Sequence, residues 1–244
     1  MFSSNLYITF YFTPNYLWLS HKFPYSFLLF HSRLVVWFVS HCNAYSGRDQ
    51  IAKNLYESLN SMKRKNLLNS TNLITSKYGR CGNRIIEKWS NDENQELSHN
   101  KFYLSFENSK CPGYITEKLF KIINADMSEN PPVPIVMGAK KSWYTMNLPP
   151  KSFIHVDDFA STYELARYLI FLNSNHTEYL KFLEWRKHYK KAQVDSIGCQ
   201  ICKNLFEHSL SQQNDTLVIR NFLDFWNKAK CENKYTRDRT LKNS

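Results

Sequence analysis

The chain has 244 residues, enough for one ample domain or two small ones. A composition 43% hydrophobic and 22% charged excludes a mainly disordered chain, and Gly 6 with Pro 8 excludes collagen-like or linker-rich architecture. Lys+Arg 32 against Asp+Glu 21 gives +11, which suits an anionic partner such as nucleic acid, a membrane surface or a phosphate-bearing ligand without choosing among them.

Residues 1–33 are apolar and aromatic but broken by Asn15, His21, Lys22, Pro14 and Pro24. No basic segment precedes a clean apolar run, so a signal peptide is poorly supported. No stretch reaches 18 uninterrupted apolar residues. A degraded anchor and a segment outside the folded unit both stay open. Leu34–Val39 (LVVWFV) reads as a fully buried strand. Arg48 to Leu59 carries Ile51, Leu55 and Leu59 at a spacing of four, a helix stripe. Residues 86–100 read as a polar surface segment. Lys101–Glu107 (KFYLSFE) alternates as a strand, Ile115–Ala125 reads as a helix, and Val133–Met137 (VPIVM) as a short strand ended by Gly138. Ser152–Val156 is a further strand, Tyr163–Leu172 and Glu178–Tyr189 are helices, and residues 200–228 are helical in pattern. The aromatics, 16% of the chain, are scattered, which favours core packing over a stacking platform. The basic tail 231–244 reads as a solvated end.

Strand, helix, strand, helix at these spacings argues for an α/β fold with a parallel sheet and crossover helices. Ligands in such folds sit at the carboxyl ends of strands. That singles out the turns His41–Arg48, Asn108–Glu117 and Gly138–Trp143. The second is the sharpest, with Pro112-Gly113 turning the chain and Glu117-Lys118 opening the next helix. Lys118 opposes the helix dipole, which an anion held between it and the helix end would explain. Asp157-Asp158 reads as a polar turn capping the next helix, not a metal pair. His41 and His155 read as satisfying local hydrogen bonds.

The six cysteines are Cys42, Cys81, Cys111, Cys199, Cys202 and Cys231, and sequons start at Asn69, Asn175 and Asn214. Together they lean toward an oxidising, secretory-route protein whose cysteines are mostly oxidised. Cys199-Gln200-Ile201-Cys202 fits structural disulfides better than a redox or zinc motif, with the pairing open.

FYLSFENS…YITEK, followed by VPIVMGA, SFIHVDDFAS and LARYL, resembles the donor-binding half of the α1,3-fucosyltransferases. VVWFVSHCNAYSGR and YGRCGN fit the same family upstream, so the resemblance runs from about Leu34 to Lys203. The cysteines in VSHC, YGRCG, ENSKC and CQIC look like those of invertebrate and plant enzymes that fucosylate the N-glycan core. The resemblance implies a two-lobed GT-B-type glycosyltransferase, with residues 34–230 as its carboxyl-terminal, Rossmann-like lobe holding GDP-fucose. Transfer of L-fucose to an N-acetylglucosamine hydroxyl of a glycoprotein glycan would invert the anomeric centre in one displacement. Arg48 and Lys118 would grip the phosphates, and Glu117 would stabilise the fucosyl cation or hydrogen-bond the sugar. Tyr114 would pack on the nucleotide, and Glu107 with Asn108 would line the pocket.

The implied partners are GDP-fucose and an N-glycan acceptor, with no nucleic acid, and the implied place is the Golgi lumen on a single-pass membrane anchor. No cofactor is tightly bound, and Mn²⁺ stimulation has no support in the sequence. In the family an acceptor lobe, a stem and an anchor precede the VVWFVS strand, and the general base belongs to that lobe. Residues 1–33 match none of these, so the expectation is an incomplete chain that binds donor but transfers slowly. The alternative is a non-catalytic GDP-sugar-binding remnant.

Overall fold

The computed structural model describes residues 12–14, 31–64, 75–126 and 130–191, with Cys199, Cys202, Phe206 and Cys231. Strand β1 (Phe12–Pro14) comes first, followed by β2 (Arg33–Phe38), helix α1 (Arg48–Arg64) and β3 (Thr75–Tyr78). Helix α2 (Asn91–Ser98), strand β4 (Asn100–Phe106), helix α3 (Glu117–Ile123) and strand β5 (Val133–Met137) form the middle. Helix α4 (Lys141–Asn147), β6 (Ile154–His155), α5 (Thr162–Ser174), α6 (His176–Leu180) and β7 (Tyr189–Lys191) complete the order. Five strands form one parallel sheet in the order β3-β2-β4-β5-β6. β1 pairs antiparallel with β7, so part of the segment 1–33 meets the folded chain.

The central strands are mainly apolar because both faces are covered. On one face Val35, Trp37, Phe102, Leu104 and Ile135 join Ile51, Leu55 and Leu59 of α1 and Leu165 and Leu169 of α5 in one core. On the other face Val36 and Tyr103 pack with Leu97 of α2 and Ile122 of α3. Val136 meets Leu119, Ile123 and Tyr144. The result is a three-layer α/β/α unit, as the alternation of elements predicts.

Several boundaries differ from the sequence reading. Residues 86–100 are not simply a polar surface segment: they contain α2, which buries Glu93 and Leu97. A Ser-x-x-Glu signature marks its start, since Ser90 Oγ accepts from the Glu93 N–H at 3.2 Å. β3 has no apolar run because all four of its residues are half-buried on the sheet edge. α3 begins at Glu117 rather than Ile115, after Thr116 in extended conformation. The strand expected over Ser152–Val156 pairs only at Ile154 and His155, then tightens into a 3-10 turn over Val156–Asp158. Ser161, not the Asp157-Asp158 pair, caps α5 by accepting from the Glu164 N–H. Asp158 instead meets Lys141 Nζ.

The helix expected over Glu178–Tyr189 divides into α6, a 3-10 turn at Glu184–Lys187 and β7. Asn175, the second sequon, caps α6. The other two sequons, most of residues 200–228 and the tail beyond Cys231 lie outside the described residues.

Candidate active site

β2 leads to β3 on one side of the sheet while β4 lies on its other side, which makes the β2–β4 crevice a topological switch point. A cavity of about 430 Å³ opens there, in the size range of small-molecule sites. The first turn supplies His41 and Arg48 to its wall, and the second supplies Asn108, Glu117 and Lys118. The connection from β3 to α2 adds Arg80, Lys88 and Trp89, and Lys121 and Glu93 close the wall beneath them.

A buried carboxylate organises the second turn. The Glu107 side chain is 1% exposed and follows β4 directly. Its Oε1 accepts from the Thr116 N–H at 2.8 Å, and Lys118 Nζ donates to its Oε2 at 2.9 Å. The Thr116 hydroxyl donates to the carboxylate and accepts from Lys118 Nζ at 2.7 Å. Thr116 does not cap α3 with its own side chain, so this remote carboxylate satisfies its backbone donor. The end of β5 presses on the same group: a Cβ at Gly138 would lie 2.8 Å from Glu107 Cβ and Cγ, so glycine alone fits. α3 has only seven residues, so cationic side chains rather than the helix end supply the site's positive field.

Arg48 is 2% exposed and ties two strand ends together. Its Nη1 donates to the Phe106 carbonyl at 2.8 Å and its Nη2 to the His41 carbonyl at 2.7 Å. This is neither the surface pairing with Asp49 or Glu57 that a helix-face arginine would show nor a freely extended phosphate ligand. Burial lowers its pKa, and Asp49 and Glu107 push it back up. The guanidinium remains charged.

Glu117 stands at the cavity edge with its Oε1 3.8 Å from both Lys88 Nζ and Lys118 Nζ. Partial burial pushes its pKa up, but Lys118, Thr116, its own backbone N–H and Lys88 together hold it below the usual carboxylate range. It is therefore anionic at neutral pH. Lys121 pairs with buried Glu93 and contacts the rings of Phe38, Trp89 and Tyr103. Desolvation lowers the Lys121 pKa, and Glu93 opposes the shift.

The model of the C-terminal part of glycosyltransferase family 10 (fucosyltransferase) matches residues 30–220. The chain belongs to this family. The Drosophila melanogaster glycoprotein 3-alpha-L-fucosyltransferase A is 34% identical over 201 residues, covering 80% of this chain and 35% of that protein. An alpha-(1,3)-fucosyltransferase of Caenorhabditis elegans is 31% identical over 219 residues, covering 85% of this chain and 44% of that one. The chain thus spans less than half the length of these curated relatives. A crystal structure of an alpha1,3-fucosyltransferase with GDP-fucose matches with a TM-score of 0.50 at 24% identity, covering 78% of this chain and 50% of that one, a likeness of fold.

Four of the six residues that the fucosyltransferase motifs single out, Arg48, Asn108, Glu117 and Lys118, line the cavity of this family member. Glu107 does not; it lies behind the wall as the anchor of Thr116 and Lys118. Tyr114 is half-buried and also outside the lining, its pKa raised by desolvation and by Glu107. The turn Gly138–Trp143 supplies no lining residue and acts only through the approach of Gly138 to Glu107. Lys88, Trp89, Glu93 and Lys121 were not singled out by motif; the Ser90–Glu93 capping signature was a local signal for Glu93 and the residues just before it, while Lys121 of α3 had none.

The cysteines staple the same fucosyltransferase loops. Cys42 bonds to Cys81, joining the connections that follow β2 and β3 at the cavity rim. Gly79 beside it has φ +95, and a Cβ there would lie 2.4 Å from the Val39 carbonyl oxygen. Cys111 of the second turn bonds to Cys231. Cys199 and Cys202 are exposed and take no part in either bridge, which departs from the structural disulfide expected of CQIC. His155 keeps to local hydrogen bonding: its Nδ1 accepts from the Asp157 N–H and its Nε2 faces the Ala139 carbonyl. Among the described residues no group of three or more His, Cys, Asp or Glu is placed to hold a metal ion. Among them, too, no helix is long and apolar enough to cross a membrane.

Proposed function

We propose that residues 34–230 form the GDP-fucose-binding lobe of an α1,3-fucosyltransferase of the Golgi lumen. The enzyme moves L-fucose to an N-acetylglucosamine hydroxyl of a glycoprotein glycan with inversion. The observation that carries this reading is the charge on the switch-point cavity. Arg48, Arg80, Lys88, Lys118 and Lys121 line it against the carboxylates Glu93 and Glu117. A nucleoside diphosphate sugar supplies the complementary negative charge, and GDP-fucose is the ligand named for the structurally similar fucosyltransferase.

As the glycosidic bond breaks, charge builds on the departing diphosphate and the sugar becomes oxocarbenium-like. Cations already in place at the diphosphate therefore stabilise the transition state more than the ground state. Lys118 supplies one such cation, oriented by Glu107 and Thr116. Arg48 acts mainly by holding the ends of β2 and β4 in register, with its charge at the cavity wall. Glu117, kept ionised by its neighbours, faces the developing fucosyl cation, with Asn108 completing the donor contacts at the cavity wall. The general base is assigned to no residue of this chain.

Calorimetric titration with GDP, GDP-fucose and UDP-galactose tests the reading. Binding of the two guanosine nucleotides with clear preference over UDP-galactose supports it; equal or absent binding overturns it. Fucose transfer is measured separately, to an N-glycan core and to N-acetyllactosamine. Donor binding with no transfer to either corresponds to a non-catalytic GDP-sugar-binding unit.

A further inference from the structure

One residue of the cavity wall has no part in the phosphate chemistry above. Trp89 lines the cavity, is 62% exposed, and has a backbone φ of +65°. That left-handed conformation is unfavourable for a bulky side chain and persists only where surrounding contacts impose it. Here Glu93 imposes it. The Glu93 side chain, almost fully buried, accepts the Trp89 N–H on Oε2 at 2.7 Å and pairs through Oε1 with Lys121 Nζ. The same ammonium lies 5.3 Å from the centre of the Trp89 ring and 5.4 Å from that of Phe38. A large apolar ring is thus displayed on the cavity wall, with a cation against it and its backbone latched by a buried carboxylate.

We propose that the Trp89 indole is the stacking platform for the purine base of the nucleotide donor, with Glu93 and Lys121 as positioning residues that hold it in place. The assignment rests on reading the cavity as a nucleoside diphosphate sugar site. Its geometry agrees with that polarity. Lys88, the residue before Trp89, and Lys118 share Glu117 Oε1 at 3.8 Å each, so their ammonium groups lie no more than twice that distance apart. Trp89, Lys88 and Lys118 line the same cavity, so a base seated on Trp89 would direct its diphosphate toward these lysines. Stacking on an aromatic face is tolerant of the base's hydrogen-bonding edge, so the platform contributes affinity for the nucleoside and none for free pyrophosphate.

The experiment titrates GDP and inorganic pyrophosphate against the full chain and its Trp89→Ala and Trp89→Phe variants. Because Trp89 is exposed, neither substitution opens the core. Trp89→Ala should weaken GDP roughly tenfold or more, the usual scale of one lost base stack, and leave pyrophosphate unchanged. Trp89→Phe should restore most of the GDP affinity. Glu93→Gln should lower GDP affinity without lowering that for pyrophosphate, a split that a general loss of folding would not produce. Equal GDP affinity in wild type and Trp89→Ala overturns the platform while leaving the donor reading intact. A wild-type chain that binds neither GDP nor pyrophosphate overturns both. Parallel losses for GDP and pyrophosphate in Trp89→Ala assign the residue to the phosphates and overturn the platform alone.

Discussion

Lys118 Nζ lies 2.9 Å from Glu107 Oε2, joining the first turn of α3 to the residue that follows β4. The Glu107 side chain is 1% exposed and the Lys118 side chain 18%, so one partner is locked inside while the other reaches the cavity. Two of the three Lys118 donors already serve Glu107 and Thr116, which fixes the direction left for an incoming anion.

Removing the anchor should therefore loosen both the turn and the site. Glu107→Ala strands the Thr116 N–H and the Lys118 ammonium, each of which loses a charge-assisted bond. The expected cost is about 2–3 kcal/mol, seen as a fall in thermal midpoint of roughly 5–10 °C. Glu107→Gln keeps an acceptor for Thr116 and should lose about half as much. Thermal unfolding followed by circular dichroism measures both, and an unchanged midpoint in the alanine variant would contradict the anchoring role.

Lys118→Ala should weaken GDP binding and also lower stability, because it strands the buried Glu107 carboxylate. A charge-assisted contact to phosphate is worth roughly 1.5–3 kcal/mol, so a loss of about tenfold or more is expected. The deficit should shrink as salt rises, because the wild-type contact is partly screened. Equal affinities at low salt would remove Lys118 from the diphosphate site.

The bridge Cys42–Cys81 closes a loop with a sequence separation of 39. Replacing both cysteines by serine should destabilise the protein by about 3–4 kcal/mol through the freed entropy of the unfolded chain. The cavity rim should loosen with it, since Ser40, His41, Gly79 and Arg80 flank the two cysteines and line the site. Non-reducing digestion should yield the linked pairs 42–81 and 111–231; recovery of a different pairing would refute the staple.

His155 predicts a pH dependence. Burial holds its pKa below the ordinary imidazole value, with Asp157 and the Ala139 carbonyl opposing the shift. The folded imidazole therefore stays neutral at a pH where the unfolded one takes up a proton. Its stabilising contribution is intact above about pH 6.5 and is lost as pH falls from there through the folded value. The thermal midpoint should thus drop between pH 7 and pH 5 more steeply in wild type than in His155→Asn, which retains an acceptor for the Asp157 N–H. Parallel slopes would show that another group carries the effect.

The sequence by itself determined the layered α/β unit and singled out two of the turns that line its cavity. Strands covered on both faces write themselves as continuous apolar runs, which is why LVVWFV and VPIVM were legible within a residue or two, while KFYLSFE was legible from its alternation. The motif around Lys118 was legible too, because its residues are contiguous. Tertiary structure alone decided the rest. α2 buries only Glu93 and Leu97 and β3 is a half-buried edge, so neither carries a periodic apolar signal. Arg48 spends its donors on carbonyls, one of them 58 residues away, and Cys111 finds Cys231 across 120 residues. Local patterning records which face of an element is covered. It holds no record of which groups a buried charge meets: Arg48 reaches the Phe106 carbonyl because the sheet sets β2 beside β4, and Glu107 becomes the anchor behind the wall, not a pocket residue, because the turn after β4 folds Thr116 and Lys118 back onto it.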